Sequence, residues 1–545
     1  MADSALPALD AATLCEAFQL TVEKYGDSPG LRTPGNEQAM TYNDWAVKVQ
    51  RVAGGLAQLG LQRGDTLALM TTNRPEFFIA DMAALHLGAT PFSIYNSSSP
   101  EQIEYLFGNA DNKIVIAERQ FVETIKQANA DLQIIVLEDG LPEGDFPEFE
   151  ATWRAVEPTD IATLIYTSGT TGPPKGVQLS HQNLMAAIDG WAGVGLIEPG
   201  GRTVSYLPLA HIADRMIHYY RSMASGCSIT CVADATQILA ALVDTRPTGW
   251  MSVPRLWEKI KAGLEAKGIT DPSALPEETK AAVRAQLGLD QLVWGASGAA
   301  PIPVSVLEFF MGLGLPVLEG WAMSETACCG IVNPQDAPRP GSIGKPLGGV
   351  EMAVADDGEL LVRGDWLMVG YRNDPEKTAE AIDADGWLHT GDIVTVDADG
   401  YVKIVDRKKE LIINAGGKNM SPANIEQTLK ASHPLIGQAC CIGDARPYNV
   451  ALLVLDPDAS AAYAAAHGLD DASPAVLSRN ADVLAQVALA VEEANSHLSR
   501  VEQIKKFRLL AEDWVPDSEI LTPTSKLKRR GVNERYADAI EELYA

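Results

Sequence analysis

Up to about Gly341 the chain alternates short β-branched apolar runs with stretches whose apolar residues recur at helical spacing. Thr13 to Lys24 predicts an amphipathic helix stopped near Gly26-Asp27-Ser28-Pro29. Met40-Thr41-Tyr42 predicts a strand, with Asn43 or Asp44 capping a helix that runs through Trp45, Val49 and Leu56 to Leu59. Thr66–Met70 predicts a strand, and Pro75 opens a helix ending at Leu87-Gly88-Ala89. Phe92–Ile94, Lys113–Ala117 and Ile134–Leu137 predict further strands, with Ser99 or Pro100 starting a helix between the first two. Such alternation predicts an α/β fold with a parallel, doubly wound layer. Asp271 to Arg284, polar with two prolines, predicts a surface excursion. Gln291–Trp294 and Pro316–Leu318 predict strands that run into the small-residue turns Gly295–Pro301 and Glu319–Thr326. Ligands of open α/β sheets sit beyond the carboxyl ends of strands, so these turns are candidates for one shared site.

Beyond Gly341 the pattern changes. Asp356-Asp357-Gly358, Asp385-Gly386 and Asp399-Gly400 are hairpin signals between short β-rich runs, predicting a β subdomain over about 341–405. A small α+β unit follows: Leu411–Asn414 and a helix over Pro422–Ala431, then strands Gly437–Ile442 and Val450–Leu455, then an Ala-rich helical region. The expected domains are therefore 1–405 and a mobile 406–545, with the boundary at Asp406.

The net charge of −29 over 545 residues excludes the basic footprint of a nucleic-acid binder. An anionic ligand must then be drawn in by local charge, and the basic clusters Arg407–Lys409, Lys505–Arg508 and Lys526–Arg530 all lie late in the chain. The seven cysteines show no metal or disulfide spacing, so Cys328-Cys329 and Cys440-Cys441 are expected as packed free thiols in a reducing cytoplasm. The N-terminal stretch lacks signal-peptide character and no apolar run reaches membrane-span length, so any membrane contact would be peripheral.

One loop concentrates chemistry. After the apolar run Ile161–Ile165 come Tyr166-Thr167-Ser168-Gly169-Thr170-Thr171-Gly172-Pro173-Pro174-Lys175-Gly176. Small hydroxylated residues and glycines expose N–H and O–H groups with little cover, and Lys175 adds a cation, as a polyphosphate requires. An ordinary Gly/Ser/Thr turn is the plain alternative. It is not a Walker loop, because Pro173-Pro174 follow Gly172 where a helix would have to begin. The segment Gly176–His181 should instead be extended.

Other residues divide between chemistry and structure on their own terms. Glu325 fits a magnesium carboxylate, or equally a helix N-terminal glutamate beside a cap at Ser324. Gly298-Ala299-Ala300 fits a plain strand–helix turn, and Asp392 in Thr390-Gly391-Asp392 a turn aspartate. His211 fits a satisfied core histidine. Lys526 sits in a basic run of the kind that usually forms a solvated tail.

Taken together, Thr167–Gly176, Trp321-Ala322-Met323-Ser324-Glu325-Thr326, Thr390-Gly391-Asp392 and Leu521–Arg530 resemble, in order, the motifs of the AMP-forming adenylating superfamily. The order Thr41–Trp45, Gly64–Thr66, Asn73–Phe77 and Leu87–Ala89 is similar to its N-terminal region. The resemblance spans nearly the whole chain and implies an acyl-CoA synthetase using ATP, Mg²⁺ and CoA, most like long-chain and very-long-chain fatty acid–CoA ligases. It implies phosphate contacts from Thr167, Ser168, Gly169, Thr170, Thr171, Gly172 and Lys175, with Thr170 taking part in catalysis. It implies adenine and acyl-pocket contacts from His211, Gly298, Ala299, Ala300, Glu319, Gly320, Trp321, Ala322, Met323 and Ser324, and Glu325 as metal ligand. Asp392 and Arg407 would hold the ribose, Lys526 would be the catalytic lysine, and Gly416-Gly417 would face the pantetheine channel after rotation about Asp406. Trp321, Ala322 and Ser525 depart from the usual tyrosine, glycine and glycine. Arg215 stands where some long-chain enzymes carry a gating tryptophan, and no gate is transferred. An aryl-CoA ligase, a fatty acyl-AMP ligase, a luciferase-type oxygenase and an inactive nucleotide-binding protein are the alternatives. Monomer and homodimer are equally compatible with the sequence.

Overall fold

The computed structural model describes residues 7–129, 131–167, 173–192, 200–414, 419–515, 518–522 and 526–545. The chain separates into two compact units, Met1–Ala353 with Leu361–His389 and Ala398–Val402, and Val354–Leu360 with Thr390–Asp397 and Lys403–Ala545.

The first unit is α/β, as expected. Its largest sheet has seven strands in the order Gly370–Tyr371, Lys175–Ser180, Ile161–Thr167, Thr90–Ser93, Thr66–Met70, Ile114–Ala117 and Gln133–Val136. The last five run parallel, while Lys175–Ser180 and Gly370–Tyr371 are added antiparallel. A second sheet aligns Gly249–Ser252, Trp294–Ser297 and Val317–Trp321 in parallel, so that Ser252, Ser297 and Glu319 stand side by side at their carboxyl ends. A third has the order Ala39–Thr41, Pro29–Arg32, Ser228–Cys231 and Arg202–Ser205.

Local chemistry explains where the elements begin. The helix Tyr42–Gln58 is capped by Thr41 rather than Asn43 or Asp44. The Thr41 hydroxyl accepts from the Asp44 amide while Asp44 accepts from the Thr41 amide, a reciprocal box that places Asp44 inside the first turn. Ser99 caps Pro100–Ala110 in the same way. The expected strand Gln291–Trp294 lies instead at Trp294–Ser297. Gly295, Ala296 and Ser297 carry little intrinsic strand preference, but burial between two flanking strands overrides it. The expected excursion at 271–284 holds the helix Glu277–Leu287, anchored where Arg284 donates to the Leu313 carbonyl at 2.6 Å and pairs with Glu277.

The strands Glu351–Val354, Glu359–Arg363, Leu388–Val396 and Val402–Arg407 form a four-stranded sheet in that order. Gly358, Gly386 and Gly400 all take positive φ at the Asp-Gly turns, where a side chain would be strained. In the second unit, Ile436–Ile442, Asn449–Leu455 and Ile504–Leu509 form a three-stranded sheet. Strand alternation splits its vicinal cysteines: Cys441 packs with Ile425, Leu429 and Val487 on one face, Cys440 with Trp514, Val532 and Tyr536 on the other. All seven cysteines are buried free thiols. Among the described residues no helix is long and apolar enough to cross a membrane.

Candidate active site

The phosphate-loop candidate sits at the tip of an antiparallel hairpin. Thr167 and Lys175 are cross-strand partners, followed inward by Tyr166 with Gly176. The extended strand Lys175–Ser180 is what the two prolines predict, and no helix begins at the lysine. Ser168, Gly169, Thr170, Thr171 and Gly172 lie outside the described residues, so the hairpin defines the position of the loop's two feet. Tyr166 is locked by donating its hydroxyl to Asn109 Oδ1 at 2.9 Å.

The outer edge of this hairpin carries a residue that sequence reasoning missed. Tyr371 pairs with Val177 through the backbone, and its ring lies 4.0 Å beneath the Lys175 ammonium. Its hydroxyl donates to Glu325 Oε1 at 2.8 Å. Burial, and then the Glu325 carboxylate, push the Tyr371 phenol far above its usual range, so it remains a donor. Met368 N–H further fixes the Glu325 backbone carbonyl at 2.9 Å. Tyr371 thus links the lysine at the foot of the loop to the carboxylate expected to hold a metal. A two-residue edge strand has no periodicity and therefore leaves no signal in the sequence.

Glu325 is 7% exposed and lies in a turn over Ser324–Cys328, not at a helix N-terminus. Thr326 Oγ1 accepts from the Met323 amide at 3.0 Å, and Ala327 and Cys328 both take positive φ. Two consecutive buried left-handed residues without glycine cost free energy, of order 1–3 kcal/mol each, that the surrounding packing must offset. Within this turn Glu325 faces Tyr371. Upstream, Glu319 accepts from the Gly341 amide at 2.7 Å, while Gly320 and Trp321 pair with Val332 and Ile331. Trp321 is buried and Ala322 exposed, with Met323 and Ser324 between these extremes.

Gly298, Ala299 and Ala300 follow directly at the aligned strand ends. The Gly298 amide donates to the Ser252 carbonyl at 3.3 Å, and Ala299 takes φ +69°. His211 is half-buried, and its Nδ1 accepts from the Ala213 amide at 3.1 Å. Arg215 is fully buried and paired with Asp81, with Thr163 Oγ1 accepting from it at 3.0 Å. Its partners are thus structural ones.

In the second unit Asp392, almost fully buried, accepts from Arg407 Nε at 3.0 Å. The two residues that the resemblance assigns to the ribose are therefore adjacent. The turn before Asp392 is braced by Glu359, which accepts from the Gly391 amide at 2.9 Å and pairs with Lys408 at 2.9 Å. Asp406 accepts from Ser421 Oγ at 2.6 Å and from the Ala423 amide at 3.1 Å, fastening it to the start of the helix Pro422–Ser432. Gly416 and Gly417 lie outside the described residues. Lys526 is exposed, and its amide donates to Thr522 Oγ1 at 2.9 Å while the Thr522 amide donates to its carbonyl at 2.8 Å. The neighbouring Lys528 spends its ammonium on the Ser518 carbonyl at 2.8 Å. Arg529 forms a two-pronged pair with Glu426 at 2.8 Å for each prong.

The sequence pattern of AMP-binding enzymes matches residues 18–372, and that of the AMP-binding enzyme C-terminal domain matches residues 409–545. The chain belongs to the AMP-binding enzyme family. Long-chain-fatty-acid–CoA ligase FadD15 of Mycobacterium bovis is 36% identical to it, covering 93% of this chain and 92% of that protein. A Mycobacterium tuberculosis protein provisionally named fatty-acid–CoA ligase fadD11 is 49% identical over 74% of this chain and 76% of its own. The solved anthranilate CoA ligase AuaEII, in complex with anthranoyl-AMP, aligns with TM-score 0.78 and 22% identity, covering 97% of this chain and 98% of that one, a likeness of fold. An adenine nucleotide is thus the ligand of this AMP-binding enzyme. Among the described residues no group of three or more His, Cys, Asp or Glu could hold a metal ion. A lone carboxylate such as Glu325 nevertheless fits Mg²⁺, which keeps several waters and is completed by substrate phosphates.

Proposed function

We propose that the protein activates a long-chain fatty acid with ATP and transfers the acyl group to CoA. The full-length likeness to proteins named long-chain-fatty-acid–CoA ligases carries this reading. In the first step a carboxylate oxygen attacks the α-phosphorus of ATP, forming acyl-adenylate as the bond to pyrophosphate breaks. The loop between Thr167 and Lys175 holds the departing phosphates, with Lys175 as its fixed cation. Glu325, oriented by Tyr371, would hold Mg²⁺, which would neutralise phosphate charge when bound. Asp392 and Arg407 address the ribose. Lys526, on the C-terminal unit, supplies an ammonium for the charge developing on the α-phosphate and carboxylate oxygens. Lys526 is chosen over Lys528 because Leu527 follows it as in the family's lysine motif.

In the second step the C-terminal unit turns about Asp406, the CoA thiol attacks the acyl carbonyl, and AMP leaves. Two half-reactions served by one pivot make domain motion a candidate for the slow step. The pivot's side chain travels with the C-terminal unit, because Ser421 and Ala423 hold the Asp406 carboxylate there.

A panel of free acids assayed for CoA-dependent AMP release tests the reading. Long-chain fatty acids should give the highest kcat/KM. Preference for benzoates or cinnamates would sink the substrate class. Adenylate accumulating without thioester would point to a carrier-protein acceptor, and light emission or oxygen uptake to an oxygenase.

A further inference from the structure

A buried polar hub stands behind the segment Tyr206–His211. Asp214 to Tyr220 form one π-helical stretch in which every residue is buried. Such segments are rare and collect at functional sites. At its start the Asp214 carboxylate receives donors from separate elements. Oδ1 accepts from the Leu207 amide at 3.2 Å and from His218 Nδ1 at 2.7 Å, and Oδ2 accepts from Ser205 Oγ and from Asn73 Nδ2 at 3.4 Å. His218 Nε2 accepts from the Met251 amide at 3.3 Å. A ring nitrogen that accepts carries no proton, so the proton sits on Nδ1, which His218 donates to the Asp214 carboxylate.

The consequence is positional. Leu207 is gripped at both backbone groups, its amide by Asp214 and its carbonyl by Asn73 at 2.9 Å. His218 ties the same carboxylate to Met251, one residue before Ser252 at the aligned strand ends. Ser252 in turn meets the Tyr206 hydroxyl at 2.6 Å, and its carbonyl accepts from Gly298. Arg215, the next residue on the π-helix, pairs instead with Asp81 of the helix Pro75–His86 and donates to Thr163 Oγ1 of the large sheet. The hub therefore fixes the distance between the Tyr206–His211 segment and the strand ends carrying Ser252 and Gly298.

We propose that Asp214 and His218 are positioning residues that set the width of the acid-binding side of the site, and so its selectivity among acyl chains. The proposal rests on the functional reading above, with His211 of this segment as an acyl-pocket contact. Neither residue is a catalytic group. The Asp214 carboxylate accepts several donors at once, whereas an amide at that position turns an NH₂ towards some of them.

The test compares wild type with Asp214→Asn and with the milder Ser205→Ala and His218→Gln, using full-length protein, a graded series of fatty acids and ATP. Expected are a rise of tenfold or more in KM for the preferred acid, a shifted chain-length profile, and an ATP KM within about twofold of wild type. A merely structural role would lower activity for every acid by one common factor, with a lower melting midpoint and an unchanged profile, and would overturn the proposal. If Asp214→Asn fails to fold, the same comparison on Ser205→Ala and His218→Gln decides. A wild-type enzyme inactive on every fatty acid would refute the functional reading itself. An active wild type whose variants keep its profile would refute only the hub.

Discussion

At the scale of single residues, Tyr371 is the least obvious and the most testable. Its hydroxyl is a donor to a buried carboxylate, and its ring faces Lys175. Tyr371→Phe keeps the ring, and with it the lysine contact, but leaves Glu325 Oε1 without this donor. A hydrogen bond to a charged group contributes about 1.5–3 kcal/mol, roughly a factor of 10–100. The expected result is a fall of that size in kcat/KM for ATP, together with a higher Mg²⁺ requirement measured by titrating the metal. An unchanged Mg²⁺ dependence would remove the link between the phenol and the carboxylate. Residues such as Glu325, Asp392 and Lys526 could be singled out from sequence because their neighbours form motifs. Tyr371 could not, since its role exists only through antiparallel pairing with a strand far away in the chain. Asp214 and His218 left a fainter trace, an Asp and a His four apart in a run that also holds Arg215, which reads equally well as a core pair.

At the scale of elements, helices were legible where end signals were clear, as in Pro75–His86, opened by its proline, and Pro100–Ala110, capped by Ser99. It failed where packing overrode propensity, as in the small-residue strand Trp294–Ser297. The antiparallel edge was only half legible: Pro173-Pro174 excluded a helix, but strand direction is decided by pairing. Two buried histidines join helices of the first unit. His86, on Pro75–His86, accepts from Gln19 and stacks on Phe149, and His181 Nδ1 accepts from the Leu14 amide. Burial lowers His86 to about 4 and His181 to about 3. Both lie below the unfolded value of about 6.5, so on acidification the unfolded chain takes up protons first. Stability is then full above about pH 6.5 and falls as pH drops towards about 4, by up to about 1.4 kcal/mol per pH unit for each histidine. Thermal melting at pH 7.5 and pH 5 should show this loss, and His86→Gln should show less of it. Equal pH slopes for wild type and variant would contradict the assignment.

At the scale of the whole molecule, the proposed division of the two steps between the units can be measured at Lys526. The lysine is held by backbone and hydroxyl contacts at Thr522, with its side chain exposed. Removing an exposed side chain costs little stability, so Lys526→Ala should fold normally, and any defect is then chemical. If the ammonium acts on charge developing at the α-phosphate, its loss should slow adenylate formation by about 100-fold or more. That charge is absent when preformed acyl-adenylate is supplied with CoA, so thioester formation should stay within a few-fold of wild type. Lys528→Ala should instead lower stability, through the lost Ser518 contact, and affect both steps alike. Parallel loss of both half-reactions in Lys526→Ala would show the lysine to be part of the general scaffold. Loss confined to the second step would move it to the thioester stage and leave the adenylation step without its mobile cation.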